Sequence, residues 1–209
     1  MSSADSQQTI EAVPRLILAS ASPRRQELLR QAGYDFDLDP AHIDEDAHPA
    51  QLLPVDLARY LAQAKANEVA RRHPLDYILA ADTVVAFGDQ SIGKADDSDD
   101  ARRILQLLSG TTHIVITGVV LRRIASGYER VRSAMSAVRM RSLSRDEIDR
   151  YVATGLWRGK AGAYGIQDQD PFVTNMAGSL TNIVGLPMEI TRQMLHEAGI
   201  EPHAVDSSR

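Results

Sequence analysis

The sequence predicts an α/β fold in which helices flank a mixed sheet. Short apolar runs typical of buried strands alternate with helical patterns along almost all of the 209 residues, and cap or turn residues separate them. Hydrophobic residues make up 44% of the chain and charged residues 24%, which is typical of a chain that folds around its own core. We expect one domain over residues 14–199, a flexible N-terminus at 1–13 and a C-terminal tail at 200–209.

The N-terminal part predicts a strand, a turn and a helix. Residues 16–19 are apolar and strand-like. Ser22 then stands at the N-cap position, Pro23 at the first helical position, and Gly33 where the helix should stop.

The middle of the chain predicts a long helix followed by two strand-like runs. The helix covers about 54–72, with apolar residues on one face. The strand-like runs are 77–81 and 84–87, with Asp82-Thr83 set between them.

The C-terminal half continues the alternation of helices and strands. Ser98 should cap one helix, and Ser144 with Glu147 forms the capping-box pattern of another, which should end at Gly155. The patterns predict helices at 98–108, 144–155 and 187–199, and strands at 113–121 and 130–141.

Composition excludes several functional classes. The chain has no cysteine, so it has no disulfide, thiolate metal site or cysteine nucleophile. Its net charge of −5 argues against a stable complex with nucleic acid, including one through the arginines of residues 122–141. No apolar run approaches the roughly 20 residues of a membrane helix, and no leader pattern opens the chain. We therefore expect a cytoplasmic protein that does not enter membranes.

Two arginines stand at the start of the first helix. Cations are unfavourable in the first turn of a helix, so Arg24 and Arg25 indicate a negatively charged ligand there. The hydroxyls of Ser20 and Ser22 and the free N–H groups of the helix start would help to hold that anion. The alternative is that both arginines are solvated surface residues.

Three kinds of charged residue gain meaning only as a set. Asp82 lies at the end of, or within, a buried strand and needs a cation, a metal or backbone N–H groups as partner. Alone, Glu45 in an acidic loop, or Lys65 and Lys94, would be solvated. Together, such cations and carboxylates would form a metal-dependent phosphoryl site, although their spacing does not show that they converge.

The glycine-rich stretch 159–167 does not have the dinucleotide-binding pattern. Its glycines would let backbone approach a ligand, leaving Tyr164 and Gln167 to read a base, or they form a plain turn. The six histidines show no metal-ligand spacing, and His113 is most simply structural.

Taken together, these motifs resemble the Maf family of nucleoside triphosphate pyrophosphatases. The resemblance implies the Maf fold, related to the inosine triphosphatase type, with a cleft between two lobes. It runs from about residue 16 to 195 and rests on SASPRR (20–25), IDED (43–46), AKA (64–66), AADTVV (80–85), GK (93–94), LSGTTH (108–113), KAGAYGIQ (160–167) and GSLTNIVGLP (178–187).

The resemblance also implies a reaction and roles. The reaction is hydrolysis between the α- and β-phosphates with Mg²⁺ or Mn²⁺, giving a monophosphate and pyrophosphate. Asp82 resembles the proton acceptor and a metal-linked carboxylate, and Glu45 a second metal-site acid. Lys65 and Lys94 resemble the cations that hold the triphosphate, and Arg24 with Arg25 would grip phosphates.

Specificity is implied in the same way. Arg24, Thr83 and Gln167 match positions linked to the choice of base, and KAGAYGIQ is similar to the subgroup acting on dTTP and UTP, with modified pyrimidine nucleotides as further candidates. The chain departs from the family pattern at Ala95, at 157–159 and at Leu180, which bears on fine specificity. A homodimer is implied as well. The alternative function is a nucleotide-binding regulator of septum formation without turnover.

Overall fold

The computed structural model describes residues 13–166 and 172–203, which form one mixed sheet and the helices around it. The strands are Leu16–Leu18 (β1), Asp37–Leu38 (β2), Tyr77–Phe87 (β3), Gln90–Ile92 (β4), Thr112–Arg123 (β5), Tyr128–Met140 (β6) and Val173–Ala177 (β7). The helices are Pro23–Gln31 (α1), Pro54–Arg72 (α2), Ser98–Leu108 (α3), Arg145–Thr154 (α4), Leu180–Val184 (α5) and Met188–Glu197 (α6).

The strand order is β2-β1-β3-β5-β6-β7, and β4 pairs with β3. The pairs of β1 with β2 and with β3 are parallel, whereas β3, β4, β5, β6 and β7 pair antiparallel. The predicted mixed α/β architecture is therefore confirmed. Within the described residues, no helix has the length and apolar character that crossing a membrane requires.

Strand β3 runs without interruption through Asp82 and Thr83, so the two strand-like runs are one strand and Asp82 lies within it rather than at its end. Its ladder with β5 extends from Ile78, opposite Arg122, to Ala86, opposite Ile114. Successive side chains of a strand point to opposite faces, so each of the two polar residues reaches partners on its own face without breaking the ladder.

One edge of β3 is only partly covered. Strand β1 pairs with residues 77–79 of β3, and β4 pairs with residues 85–87. Because β5 occupies the opposite edge, β1 and β4 share this one, and the intervening residues 80–84 have no strand partner there among the described residues. The sheet therefore has a gap at the carboxyl end of β1.

Helix α2 lies close against the sheet. A row of fully buried alanines, Ala58, Ala62, Ala66 and Ala70, faces the strands. Gly118 of β5 permits this approach, because a Cβ added there would lie 2.4 Å from the carbonyl oxygen of Ala58.

Several local predictions are settled by the caps. The capping box of Ser144 and Glu147 is present, and Gly155 ends α4 in the left-handed conformation. The cap of α3 is Asp97 rather than Ser98, because the Asp97 carboxylate accepts from the amides of residues 99 and 100.

The chain ends were expected to lie outside the folded body. Residues 200–203 instead pack back on it, since the amide of His203 donates to the carbonyl of Gly33 at 2.8 Å. Residues 1–12 and 204–209 lie outside the described residues. Strands β2, β4 and β7 and the short helix α5 were not anticipated.

Candidate active site

A cleft of about 470 Å³ opens at the gap in the sheet. Gln167, the tenth predicted site residue, lies outside the described residues. The other nine all line the cleft: Ser20, Ser22, Arg24, Arg25, Glu45, Lys65, Asp82, Thr83 and Lys94.

Four of these residues form a row of alternating charge. The Nζ atom of Lys65 lies 2.5 Å from Oδ1 of Asp82 and 2.7 Å from Oε1 of Glu45. The Nζ atom of Lys94 lies 2.5 Å from Oε2 of Glu45. The order along the row is therefore Lys94, Glu45, Lys65, Asp82.

The close packing of α2 places the centre of this row. Lys65 is 9% exposed and belongs to the helix whose alanine row rests on the sheet. Asp82, 6% exposed, is the direct cross-strand neighbour of Gly118, against which the helix packs. The ammonium and the carboxylate therefore meet under the helix.

The outer members of the row come from less regular segments. Glu45 lies in the connection between β2 and α2, and Lys94 follows β4. An isolated bridge pairs Lys94 with Ala161, and the amide of Gly162 donates to the carbonyl of Gly93 at 3.0 Å. The glycine-rich stretch is thus fastened beside Lys94.

The two lysines fix the ionisation of Glu45. Burial by itself raises the pKa of this carboxyl, but hydrogen bonds and charge from Lys65 and Lys94 outweigh burial and lower the pKa to about 2. Glu45 is therefore a carboxylate at neutral pH.

The two arginines of α1 differ sharply in their surroundings. The guanidinium of Arg25 donates to the carbonyl of Gly185 at 2.7 Å, to Oγ of Ser20 at 3.0 Å and to Oγ1 of Thr83 at 3.2 Å. Burial lowers the pKa of Arg25, and the charge of Asp82 opposes this effect. Arg25 thus ties three segments together.

Arg24 is partly exposed on the cleft and has no hydrogen-bond or ion-pair partner within the part of the chain that the structure describes. Ser22 occupies the N-cap position as predicted, although its side chain makes no capping hydrogen bond. The start of α1 therefore presents one uncommitted cation to the cleft.

Asp82 and Thr83 use opposite faces of β3. Asp82 points to the face that α2 covers, and Thr83 to the face where Arg25 and Thr117 lie. Both reach the same cleft because the edge of β3 is open between β1 and β4.

The other end of the cleft is largely apolar. Val85, Val115, Ile183 and Tyr164 line it. The hydroxyl of Tyr164 lies 2.6 Å from Nε2 of His113, which is 1% exposed, and burial lowers the pKa of His113 to about 4. His113 is thus a neutral residue of the core.

Sequence reasoning missed two buried polar residues that support this site. Thr117 donates to the main-chain oxygen of Asn182 at 3.1 Å, and the Asn182 side chain donates to the carbonyl of Val115 and to Ser136. The sequence signal for Asn182 was the presence of three polar residues, Ser179, Thr181 and Asn182, in the otherwise apolar segment 178–187. No local pattern shows which residues they contact.

Comparison with known proteins shows the family of this chain. The family described as Maf-like protein matches residues 15–198. The chain belongs to the Maf family. Three similar relatives carry the description dTTP/UTP pyrophosphatase. The relative from Anaeromyxobacter dehalogenans is 46% identical over 189 residues, covering 89% of this chain and 95% of the relative.

The other two relatives are similar over comparable lengths. That from Paramagnetospirillum magneticum is 47% identical over 190 residues, with 90% of this chain and 98% of the relative covered. That from Bacillus pumilus is 41% identical over 192 residues, with the same shares covered. A solved dITP/XTP pyrophosphatase from Mycobacterium abscessus superposes with a TM-score of 0.39 at 16% identity, covering 67% of this chain and 94% of that one, which is too loose to support an argument.

Proposed function

We propose that this Maf protein hydrolyses nucleoside triphosphates, dTTP and UTP foremost, between the α- and β-phosphates. The products are the nucleoside monophosphate and pyrophosphate, and modified pyrimidine nucleotides are further candidate substrates. The observation that carries the proposal is the row of two lysines and two carboxylates beside an uncommitted arginine in one cleft. The descriptions of the relatives point to the same reaction.

The charged end of the cleft suits a triphosphate. Arg24 stands at the N-terminus of α1, where backbone N–H groups also favour an anion. Lys65 and Lys94 offer two further cations. Such groups stabilise the charge that develops on the phosphoryl oxygens during transfer.

The donor set also suits a hard divalent cation. No group of three or more histidines and acids with metal-site geometry occurs in the described residues. Mg²⁺, however, is usually bound through one or two carboxylates together with substrate phosphates, and Glu45 and Asp82 supply two. When bound, Mg²⁺ or Mn²⁺ would neutralise phosphate charge and polarise the scissile bond.

Lys65 links the two carboxylates that would hold the cation. Its ammonium carries three N–H donors and uses two of them on these acids, so the third would be available to the triphosphate. Asp82 would accept the proton of the attacking water, which is a role that requires hydrogen-bond reach.

The base would occupy the apolar end of the cleft. Val85, Val115 and Ile183 offer contact to a planar ring, and Arg24 and Thr83 line the same cleft. For Gln167 we propose contact with the O4 edge of uracil or thymine, where the side-chain amide N–H can donate to O4.

A panel of nucleoside triphosphates with Mg²⁺ tests this function. The purified protein should release pyrophosphate, resolved from orthophosphate by ion-exchange chromatography, and should act fastest on dTTP and UTP. Omission of the metal should abolish turnover. Orthophosphate as the sole product would reject the cleavage site, and nucleotide binding without any product would favour a regulator of septum formation instead.

Assembly and location are part of the proposal through family resemblance. We expect a homodimer in the cytoplasm that forms no stable complex with nucleic acid. Light scattering of the purified protein, cell fractionation and a gel-shift measurement at physiological salt test these three points.

A further inference from the structure

A file of hydrogen bonds leads from the cleft into the sheet. The Nη2 group of Arg25 donates to Oγ1 of Thr83 at 3.2 Å, which lies 3.0 Å from Oγ1 of Thr117. Oγ1 of Thr117 lies 3.1 Å from the main-chain oxygen of Asn182. Thr117 and Asn182 are 0% exposed, whereas Thr83 is partly exposed and lines the cleft.

The two ends of this file favour one direction for the protons between them. A guanidinium can only donate, and a carbonyl oxygen can only accept. A hydroxyl carries one proton, so Thr117, which gives its proton to the Asn182 carbonyl, must accept from Thr83.

The reverse orientation satisfies fewer groups. If Thr117 donated to Thr83, the carbonyl of Asn182 would keep only the amide of Gly185 as donor. The file would then contain two hydrogen bonds instead of three, so the first orientation is favoured by one hydrogen bond.

We infer that Thr83 is an acceptor-only contact for the substrate, and that Thr117 is the positioning residue that makes it so. Its proton is committed to Thr117 and one lone pair to Arg25, so Thr83 has one lone pair left for a ligand in the cleft. The inference rests on the proposed function and names the group that selects the base.

The ligand group that meets Thr83 must therefore be a donor. On uracil and thymine the ring N3 carries a hydrogen, whereas on cytosine N3 is an acceptor. An acceptor-only hydroxyl favours the first two bases and opposes cytosine, because two acceptors face each other without a proton. The ribose hydroxyls are the competing donors on the same substrate, and the test separates them from N3.

Thr117→Val keeps the shape of the side chain and removes its hydroxyl. The proton of Thr83 then loses its acceptor and can turn toward the cleft, where it meets cytosine N3. We expect the ratio of kcat/KM for UTP to that for CTP to fall about tenfold. Thr117→Ser, which retains the hydroxyl, should keep the wild-type ratio.

Thr191→Val is the matched control. Thr191 is also 0% exposed and donates to a carbonyl, that of Pro187 at 2.8 Å, but it does not line the cleft. It should leave the UTP-to-CTP ratio unchanged, and thermal melting of each variant reports any general loss of packing. In a Thr83→Val background, Thr117→Val should no longer move the ratio.

If the wild type releases pyrophosphate and Thr117→Val has an unchanged UTP-to-CTP ratio, the inference is overturned and the proposed function stands. A change confined to discrimination between dTTP and 3′-deoxy-TTP would move the contact to the sugar and also overturn it. If the wild type releases no pyrophosphate, the proposed function fails; calorimetric Kd values for UMP and CMP then make the same comparison, and an unchanged Kd ratio in Thr117→Val rejects the inference.

Discussion

Lys65 and Asp82 form an ion pair of 2.5 Å between helix α2 and strand β3, with both side chains almost out of contact with solvent. Two charges taken out of water keep their stability only through each other and their remaining hydrogen bonds. Lys65 also bonds Glu45, so its ammonium balances two carboxylates at once. We therefore expect substitutions in this pair to affect both turnover and stability, and the two effects have to be measured separately.

Asp82→Asn should lose turnover while keeping nucleotide binding. The amide can still accept a hydrogen bond from Lys65, but it cannot take a proton from water, so we expect kcat to fall by about 10²–10⁴-fold. Pyrophosphate release and the Kd of a non-hydrolysable dTTP analogue measure the two effects. Asp76→Asn serves as control, because Asp76 is equally buried but is bound to Arg15 away from the cleft. Full activity of Asp82→Asn would remove this residue from the mechanism.

Arg24→Ala and Arg25→Ala should separate binding from stability. Arg25→Ala removes three hydrogen bonds, to Ser20, to Thr83 and to the Gly185 carbonyl, and it should cost about 2–4 kcal/mol of unfolding free energy. Arg24→Ala should change stability little and raise KM about tenfold, because its cation faces the cleft. Urea unfolding and steady-state kinetics test the pair. Equal effects of both variants on both quantities would contradict the division.

Gly118→Ala should push α2 off the sheet. The added methyl would lie 2.4 Å from the Ala58 carbonyl oxygen, which is backbone and cannot rotate away. We expect a loss of about 1–3 kcal/mol in unfolding free energy and a fall in kcat, since Lys65 moves with the helix. Gly93→Ala is the control for stability, because a Cβ there has nothing within 4 Å. Wild-type stability and kcat in Gly118→Ala would show that the helix does not depend on this contact.

His113 should make the protein sensitive to mild acid. Burial lowers its pKa from 6.5 to about 4, so the unfolded chain takes up the proton first as the pH falls. The folded state should lose about 2 kcal/mol between about pH 7 and about pH 5 through this residue. Glu45 adds little in that range, because the unfolded chain takes up this proton mainly around and below the ordinary pKa of 4.5, and the folded chain only near a pKa of about 2.

The measurement is urea unfolding at both pH values for wild type and His113→Gln, whose pH dependence should be smaller. His196→Gln, at an exposed histidine, should retain the wild-type dependence. Identical slopes for the wild type and His113→Gln would contradict the assignment.

Features that depend only on residues close by in the sequence could be predicted. Helix α2 follows from its apolar periodicity, and the ends of α4 follow from Ser144 and Gly155, whose roles are local. Strands β2 and β4 have two and three residues, and they exist only because β1 and β3 lie beside them. No local pattern shows such pairing.

The site illustrates the same limit. Charge types and the helix start indicated an anion site, but the meeting of Glu45 and Lys94 with Lys65 depends on loop paths that spacing does not encode. The division between Arg24 and Arg25 was also invisible in sequence, because both stand in the same helical turn. Only packing against Gly185 and Thr83 separates them.

The brevity of β1 has an evolutionary consequence. Residues 82 and 83 are adjacent in sequence, and their side chains lie on opposite faces of β3. Both side chains nevertheless line the same cleft, because the edge of β3 is open there. Mutation at residue 83 can therefore change one wall of the cleft while the Asp82 carboxylate keeps its ion pair with Lys65 on the other face. A β1 long enough to pair with residues 80–84 of β3 would close that opening, so selection on the cleft also constrains the length of a strand whose own residues do not line it.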